Sequence, residues 1–279
     1  MLLTLPDGRA AQYWWGGADT GPTVVFFHGC PDTRWAARTG HASARDAGVR
    51  LLCVNRPGYG RSTRHASSHA SVADDAVAVL DRLGLGRVAA LGMSVGGPYA
   101  VTLATRHPDR VAALGVVASL PMDHHDDAPV DEVVERLRPD FAAFMAGIVP
   151  TDPDDQALAD RWLATMPAQD AALLRSAGAG FVAASVREAL TDPDGYLRDA
   201  ALLFREWPTD PGKTACPTRL WYGGLDARAR RGGEWFAARI PGAELEVRPD
   251  ASHWATLGAH WSATLTWLAG AMRGDRGHP

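Results

Sequence analysis

The chain has 279 residues, with 28 basic and 32 acidic residues and a formal net charge of −4. Hydrophobic residues make up 46% and charged residues 22%, which is ordinary globular composition and enough to build one sizeable core. This balance leaves no electrostatic footprint for nucleic acid or an anionic membrane, and no run approaches the roughly 18 apolar residues of a membrane span.

The opening stretch "MLLTLPDGRA" has no cationic region, and its apolar run stops at Pro6, so it is not read as a signal peptide. "PDG" predicts a hairpin turn between "LLTL" and "AAQYWW". "TVVFF" (23–27) is a strand, followed by a helix over 35–47. "RLLCV" (50–54) is the next strand, and the helix after it spans 72–83, with Ser71 as N-cap. "RVAAL" (87–91) leads into "GMSVGG" and a helix, and "VAALGVVA" (111–118) is a further strand. Near-continuous apolar strands alternating with helices predict a buried, mostly parallel sheet with helices on both faces.

The alternation stops at about Pro121. Three segments of helical period follow, "DEVVERLRPDFAAFMAGIV", "DDQALADRWLATM" and "FVAASVREAL", with no strong strand before Trp207. Strands return at "TRLWYG" (218–223) and "AELEVRP" (243–249), with a helix between them over 234–240 and a last helix over 260–272. "RGDRGHP" reads as a loose tail. The expected division is an α/β core over 1–120 and 208–279 and a helical cap over 121–207. The three cysteines, Cys30, Cys53 and Cys216, are odd in number and show no metal-ligand spacing, so a cytoplasmic location is expected.

Ser94 stands between a strand and a helix, with Gly92 two places before it and Gly96 and Gly97 after it. A sharp strand–turn–helix lifts one side chain above the carboxyl edge of a sheet, and its neighbours must then be small. The helix that follows aims free N–H groups at the same spot. A serine hydroxyl is a weak nucleophile without a base. "WYGGLD" sets Asp226 directly after one strand, and "RPDASHW" sets His253 directly after the next. "FFHGC" ends a strand in a turn where the Cys30 N–H can pair with that of Val95 around an oxyanion. All of these positions fall at the carboxyl ends of strands, where open α/β sheets place their sites.

The motifs "HGCPDTRW" (28–35), "NRPGYGRS" (55–62), "GMSVGG" (92–97), "HPDRV" (107–111), "LWYGGLD" (220–226) and "IPGAELEVRPDASHW" (240–254) together resemble the α/β-hydrolase fold superfamily. The closest likeness is to bacterial esterase, lactonase, peptidase and haloperoxidase-like members with a helical cap. Carried over by position, the resemblance implies Ser94 as nucleophile, His253 as base and Asp226 as orienting acid, with the Cys30 and Val95 N–H groups as oxyanion hole. It implies no cofactor and no metal. Asn55 stands where these proteins commonly have Asp, and "ARARRGGEW" after Asp226 lacks their usual valine–proline. Relatives that open epoxides or displace halide carry aspartate at the nucleophile position, so Ser94 argues against those chemistries.

The expected reaction is hydrolysis of a small, mainly apolar ester, lactone or thioester through an acyl-enzyme. Rival readings are a peptidase of the proline iminopeptidase type, a C–C bond hydrolase or cofactor-free lyase or cyclase, and a ligand-binding, receptor-like member. The partner is a small-molecule substrate, and the chain is expected as monomer or homodimer. Asp123 is an alternative acid. "DHHDD" (123–127) is read as a solvated cap entrance rather than a metal cluster, and "DHHDD" or Asp154–Asp155 is the candidate amine site of a peptidase. His28 is read as structural or pocket-lining. Trp35, Trp254, Phe141, Phe144 and Met145 are candidate pocket residues, and only the backbone of Cys30 is expected to matter.

Overall fold

The computed structural model describes residues 1–123 and 126–274. The strands are β1 (Leu2–Thr4), β2 (Ala10–Gly17), β3 (Thr23–Phe27), β4 (Arg50–Val54), β5 (Val88–Met93), β6 (Val111–Val117), β7 (Thr218–Gly223) and β8 (Glu244–Arg248). They form one eight-stranded sheet in the order β1-β2-β4-β3-β5-β6-β7-β8. β1 and β2 pair antiparallel through the predicted hairpin, β2 is antiparallel to β4, and every later pairing is parallel. β3, β5 and β6 are buried along their whole length, which is why they read as unbroken apolar runs rather than alternating ones.

The core helices are α1 (Trp35–Arg38), α2 (His41–Asp46), α3 (His69–Arg82) and α4 (Gly96–Arg106). The helix expected over 35–47 is therefore two short ones. They part at Gly40, where a Cβ would stand 2.6 Å from the Trp261 indole. α3 starts earlier than expected because Ser68, not Ser71, is its N-cap. The two serines form a capping box, each side chain accepting the other's backbone N–H.

Between β6 and β7 come α5 (Val130–Ile148), α6 (Asp155–Leu163), α7 (Ala168–Arg175), α8 (Ala179–Leu190) and α9 (Asp194–Leu203). Three helical segments were expected here; α7 and α9 are additional. These helices bury an apolar cluster of their own around Leu158, Val182, Val186 and Leu197, and the core contributes Tyr59 to it. The chain ends with α10 (Ala227–Ala237), α11 (Ala255–Gly258) and α12 (Trp261–Arg273). α10 begins well before the expected 234–240 because Asp226 caps it, accepting the Ala229 N–H at 3.0 Å. Among the described residues no helix is long and apolar enough to cross a membrane.

The turn between β5 and α4 holds Ser94 at φ +54°, a left-handed conformation that non-glycine residues rarely adopt. Three hydrogen bonds hold it there. Ser94 N–H donates to Val117 O at 2.8 Å, Gly97 N–H donates to Ser94 O at 3.0 Å, and Ser119 Oγ donates to Ser94 O at 2.7 Å. The flanking glycines are required by close approach: a Cβ on Gly92 would stand 2.3 Å from Gly96 O, and one on Gly96 would stand 2.0 Å from Phe27 O. Both obstacles are backbone atoms, one in the first turn of α4 and one in β3, and neither can yield as a flexible side chain would. Gly96→Ala is therefore expected to cost about 3 kcal/mol of stability. Urea denaturation checks this, and an unchanged midpoint would refute the steric account.

Candidate active site

Ser94, Asp226 and the loop carrying His253 all stand at the carboxyl edge of the sheet, after β5, β7 and β8. Asp226 uses both carboxylate oxygens. Oδ1 caps α10, and Oδ2 meets His253 Nδ1 at 2.5 Å. A tight approach of β7 to the following loop allows this pairing. Cβ atoms on Gly223 or Gly224 would stand 2.2 Å from Ala251 O or 2.3 Å from Pro249 O. Burial pushes the Asp226 carboxyl up, but the hydrogen bond and charge of His253, the Ala229 N–H and Arg228 outweigh it, and its pKa lies below the ordinary value. Among the described residues His253 Nε2 has no hydrogen-bond partner, and it is not bonded to Ser94 Oγ. Such bonds are often long or misaligned without substrate and tighten in the Michaelis complex.

The turn after β3 lies beside Ser94: a Cβ on Gly29 would stand 3.5 Å from Ser94 Cβ. Its orientation is set by Arg56, whose guanidinium donates to His28 O at 2.6 Å and Gly29 O at 2.7 Å. In a trans peptide the C=O and N–H point in opposite directions. The Gly29–Cys30 peptide, its oxygen held by Arg56, therefore turns the Cys30 N–H away from Arg56. Among the described residues neither the Cys30 N–H nor the Val95 N–H has a protein acceptor.

Arg56 is itself anchored from the inserted helices. Asp199 of α9 accepts Arg56 Nε at 3.1 Å and Nη2 at 2.6 Å, along with the hydroxyls of Tyr59 at 2.6 Å and Tyr99 at 2.7 Å. Both charged side chains are buried, with 2% and 3% exposure. Burial works against the Arg56 charge, but Asp199 overrides it and the guanidinium pKa is raised. A second contact of this kind centres on Glu188 of α8. It accepts Arg34 Nη2 at 2.8 Å, Trp35 Nε1 at 3.0 Å and Asn55 Nδ2 at 2.7 Å. Arg56 stood in a recognised motif, but nothing in the local sequence pointed to Asp199 or Glu188, more than a hundred residues away.

The other candidates fall into distinct places. His28 is fully buried, and its Nε2 accepts the Arg56 N–H at 3.4 Å; burial and Arg56 hold its pKa well below the ordinary histidine value. Trp35 serves the Glu188 contact, with its ring against Phe181. Phe141 packs on Tyr196 and Phe144 on Trp162, within the cluster of the inserted helices, and Met145 packs against that cluster too. Trp254 lines a mainly apolar cavity with Pro31, Asp32, Phe181, Val182 and Val186. Asp32, not singled out from sequence, is the carboxyl in that cavity. Its Oδ2 stands 3.4 Å from the point where a Gly29 Cβ would be, and burial pushes its pKa well above the carboxylate range. The Cys30 thiol lies 3.6 Å from Tyr59 Oη, and burial raises its pKa.

Asp123 faces Arg231 at 3.7 Å, and His253 is bonded to Asp226 instead. Asp154 caps α6, and Asp155 pairs with Arg187 at 2.6 Å. The histidines of "DHHDD" (124 and 125) and residues 275–279 of the expected tail lie outside the described residues. Among the described residues no three His, Cys, Asp or Glu side chains gather as a metal site.

A family model described as alpha/beta hydrolase fold matches residues 22–259. The chain belongs to the alpha/beta hydrolase fold family. Within that family it is 30% identical over 249 residues to the pimeloyl-[acyl-carrier protein] methyl ester esterase of Chromobacterium violaceum, covering 84% of this chain and 87% of that protein. Epoxide hydrolase B of Mycobacterium tuberculosis is 35% identical over 98 residues, but the match spans only 34% of this chain and 28% of that protein. Among solved structures, an alpha/beta hydrolase fold protein from Nakamurella multipartita superposes with a TM-score of 0.70 at 24% identity, covering 98% of both chains.

Two outcomes test this site in the α/β hydrolase. Asp199→Ala leaves the Arg56 charge buried without its partner and is expected to cost about 3–5 kcal/mol; an unfolding midpoint in urea equal to wild type would refute the anchoring role. Asp226 has a depressed pKa in the folded state. Its carboxylate therefore adds stability above the unfolded value, and that gain is lost as pH falls through the folded value. The stability difference between wild type and Asp226→Asn should shrink as pH drops below about 4. A difference that is constant from pH 7 to 3, read from denaturation curves, would contradict the assigned ionisation.

Proposed function

We propose that the protein is a serine hydrolase that cleaves a small, mainly apolar carboxylic ester, lactone or thioester. The observation that carries this reading is the 2.5 Å His253–Asp226 contact at the sheet edge that also bears Ser94 on its strained turn. Ser94 Oγ attacks the carbonyl carbon as His253 Nε2 takes its proton. Asp226 fixes the imidazole with Nδ1–H donating to its carboxylate and stabilises the imidazolium that forms. The N–H groups of Cys30 and Val95 hold the tetrahedral oxyanion, with the start of α4 directed at the same point. His253 then protonates the leaving group, and water repeats the cycle on the acyl-enzyme.

The inserted helices over 121–207 act as a cap in this reading, and the cavity beside Trp254, about 20 Å³, has room for no more than a methyl-sized group of an apolar substrate. The named activity of the Chromobacterium relative, which aligns over most of both chains, supports an ester substrate. Epoxide opening is disfavoured by serine at position 94. A peptidase needs a carboxylate for the substrate amine; of its candidates Asp154 caps α6, Asp155 pairs with Arg187, Asp123 faces Arg231 and Asp126 pairs with Arg136.

A fluorophosphonate should label Ser94, as located by mass spectrometry. Asp226→Asn should lower kcat on a p-nitrophenyl ester by about 10⁴ with the fold intact. Labelling elsewhere would remove Ser94 from the chemistry. Tight ligand binding without turnover of any activated ester would favour the receptor-like alternative.

A further inference from the structure

Helix α7 of the insertion lies against the loop that carries His253. Asp170 is 1% exposed, and one oxygen of its carboxylate collects the loop's donors. Oδ1 accepts the N–H groups of Trp254 and Ala255, each at 3.0 Å, and the Ser252 hydroxyl. The adjacent Gln169 grips the same loop. Its Nε2 donates to Asp250 O at 2.9 Å, and its Oε1 accepts the Ser252 N–H at 2.7 Å. Two consecutive side chains of one inserted helix thus hold positions 250, 252, 254 and 255, and His253 lies between held neighbours.

A buried carboxylate is costly unless hydrogen bonds or a cation compensate it. Among the described residues Asp170 has no ion-pair partner, so the donors of the histidine loop are its compensation. The dependence runs both ways. Removing the charge weakens all three bonds to Oδ1, because a carboxylate oxygen is the stronger acceptor, and so loosens the loop on both sides of the imidazole, while the Asp226 contact alone leaves the ring free to pivot.

We propose that Asp170 is a positioning residue for His253, so that the inserted helices, and not the core alone, place the base relative to Ser94. This rests on the reading of Ser94, Asp226 and His253 as the reacting triad. Such coupling predicts a defect in turnover rather than in binding, because the apolar cavity is built mostly from other side chains.

The test compares full-length wild type, His253→Ala, Asp170→Asn and Gln169→Ala on one p-nitrophenyl ester. Competent sites are counted by stoichiometric fluorophosphonate labelling, so that kcat is expressed per competent site. Asp170→Asn should lower this kcat by about 10–100-fold, the scale of a misplaced catalytic group. KM should stay within about threefold. The low-field proton resonance of the His253–Asp226 hydrogen bond should broaden or vanish. Gln169 is exposed, so Gln169→Ala keeps the fold and should lower kcat by about 3–10-fold, the loss of one or two modest hydrogen bonds. A merely structural role would reduce the number of competent sites and leave kcat per site and the resonance unchanged, which would overturn the proposal. If Asp170→Asn does not fold, Gln169→Ala and Ser252→Ala decide it, and wild-type kcat in both overturns it. An inactive His253→Ala beside a fully active Asp170→Asn removes the tether alone. An active His253→Ala removes the triad reading, and the tether with it.

Discussion

The buried pairing of Arg56 with Asp199 is the constraint around which the site is organised. A guanidinium with 2% exposure is tolerated only with a partner for each nitrogen, and here the three nitrogens donate to one carboxylate and two backbone carbonyls. Those carbonyls belong to the turn beside Ser94, so the ion pair fixes a backbone orientation as well as a charge. The phenol groups of Tyr59 and Tyr99 complete the carboxylate's shell and close it to water. Replacing this assembly with apolar side chains could match its stability, but it would lose the direction of the Cys30 N–H.

The turn that carries Ser94 works by a different constraint. Its geometry is held by short-range contacts: a strained φ at Ser94, absent side chains on either side, and hydrogen bonds from β6 and Ser119. The histidine loop depends on partners distant in sequence. Asp226 approaches from β7 and Asp170 from the insertion. One half of the candidate site is thus intrinsic to the sheet, and the other is assembled from segments that meet only in the folded chain.

This difference explains what could be read from the sequence. The sheet, the hairpin and positions 94, 226 and 253 were legible because each is written in a local pattern, such as an apolar run, a glycine pair or a residue just past a strand. α7 and α9 are absent from the expected helices, since "AQDAALLR" and "DGYLRDAALL" are short, carry aspartates and are bounded by Pro and Gly. Those aspartates, Asp170 and Asp199, turn out to be buried hubs. An aspartate shows its burial only through its donors, and these lie about 80 and 140 residues away in the chain. Trp35 was legible as a residue near the site, but its hydrogen bond to Glu188 was not. Similarly, α10 begins before the expected 234–240 because Asp226, besides meeting His253, caps the helix with its other carboxylate oxygen.

The Glu188 contact has a mechanical consequence. Together with Asp199 and Asp170 it stitches the inserted helices to the core at three separated places, on α8, α9 and α7. A flap with a single hinge can swing open on the microsecond-to-millisecond scale, whereas a plate riveted at three corners moves with its base. On the reading proposed for Ser94, a substrate would enter between these contacts rather than under a lifted lid. The spacing of the contacts, rather than the energy of lifting a lid, would then set the largest molecule that can pass.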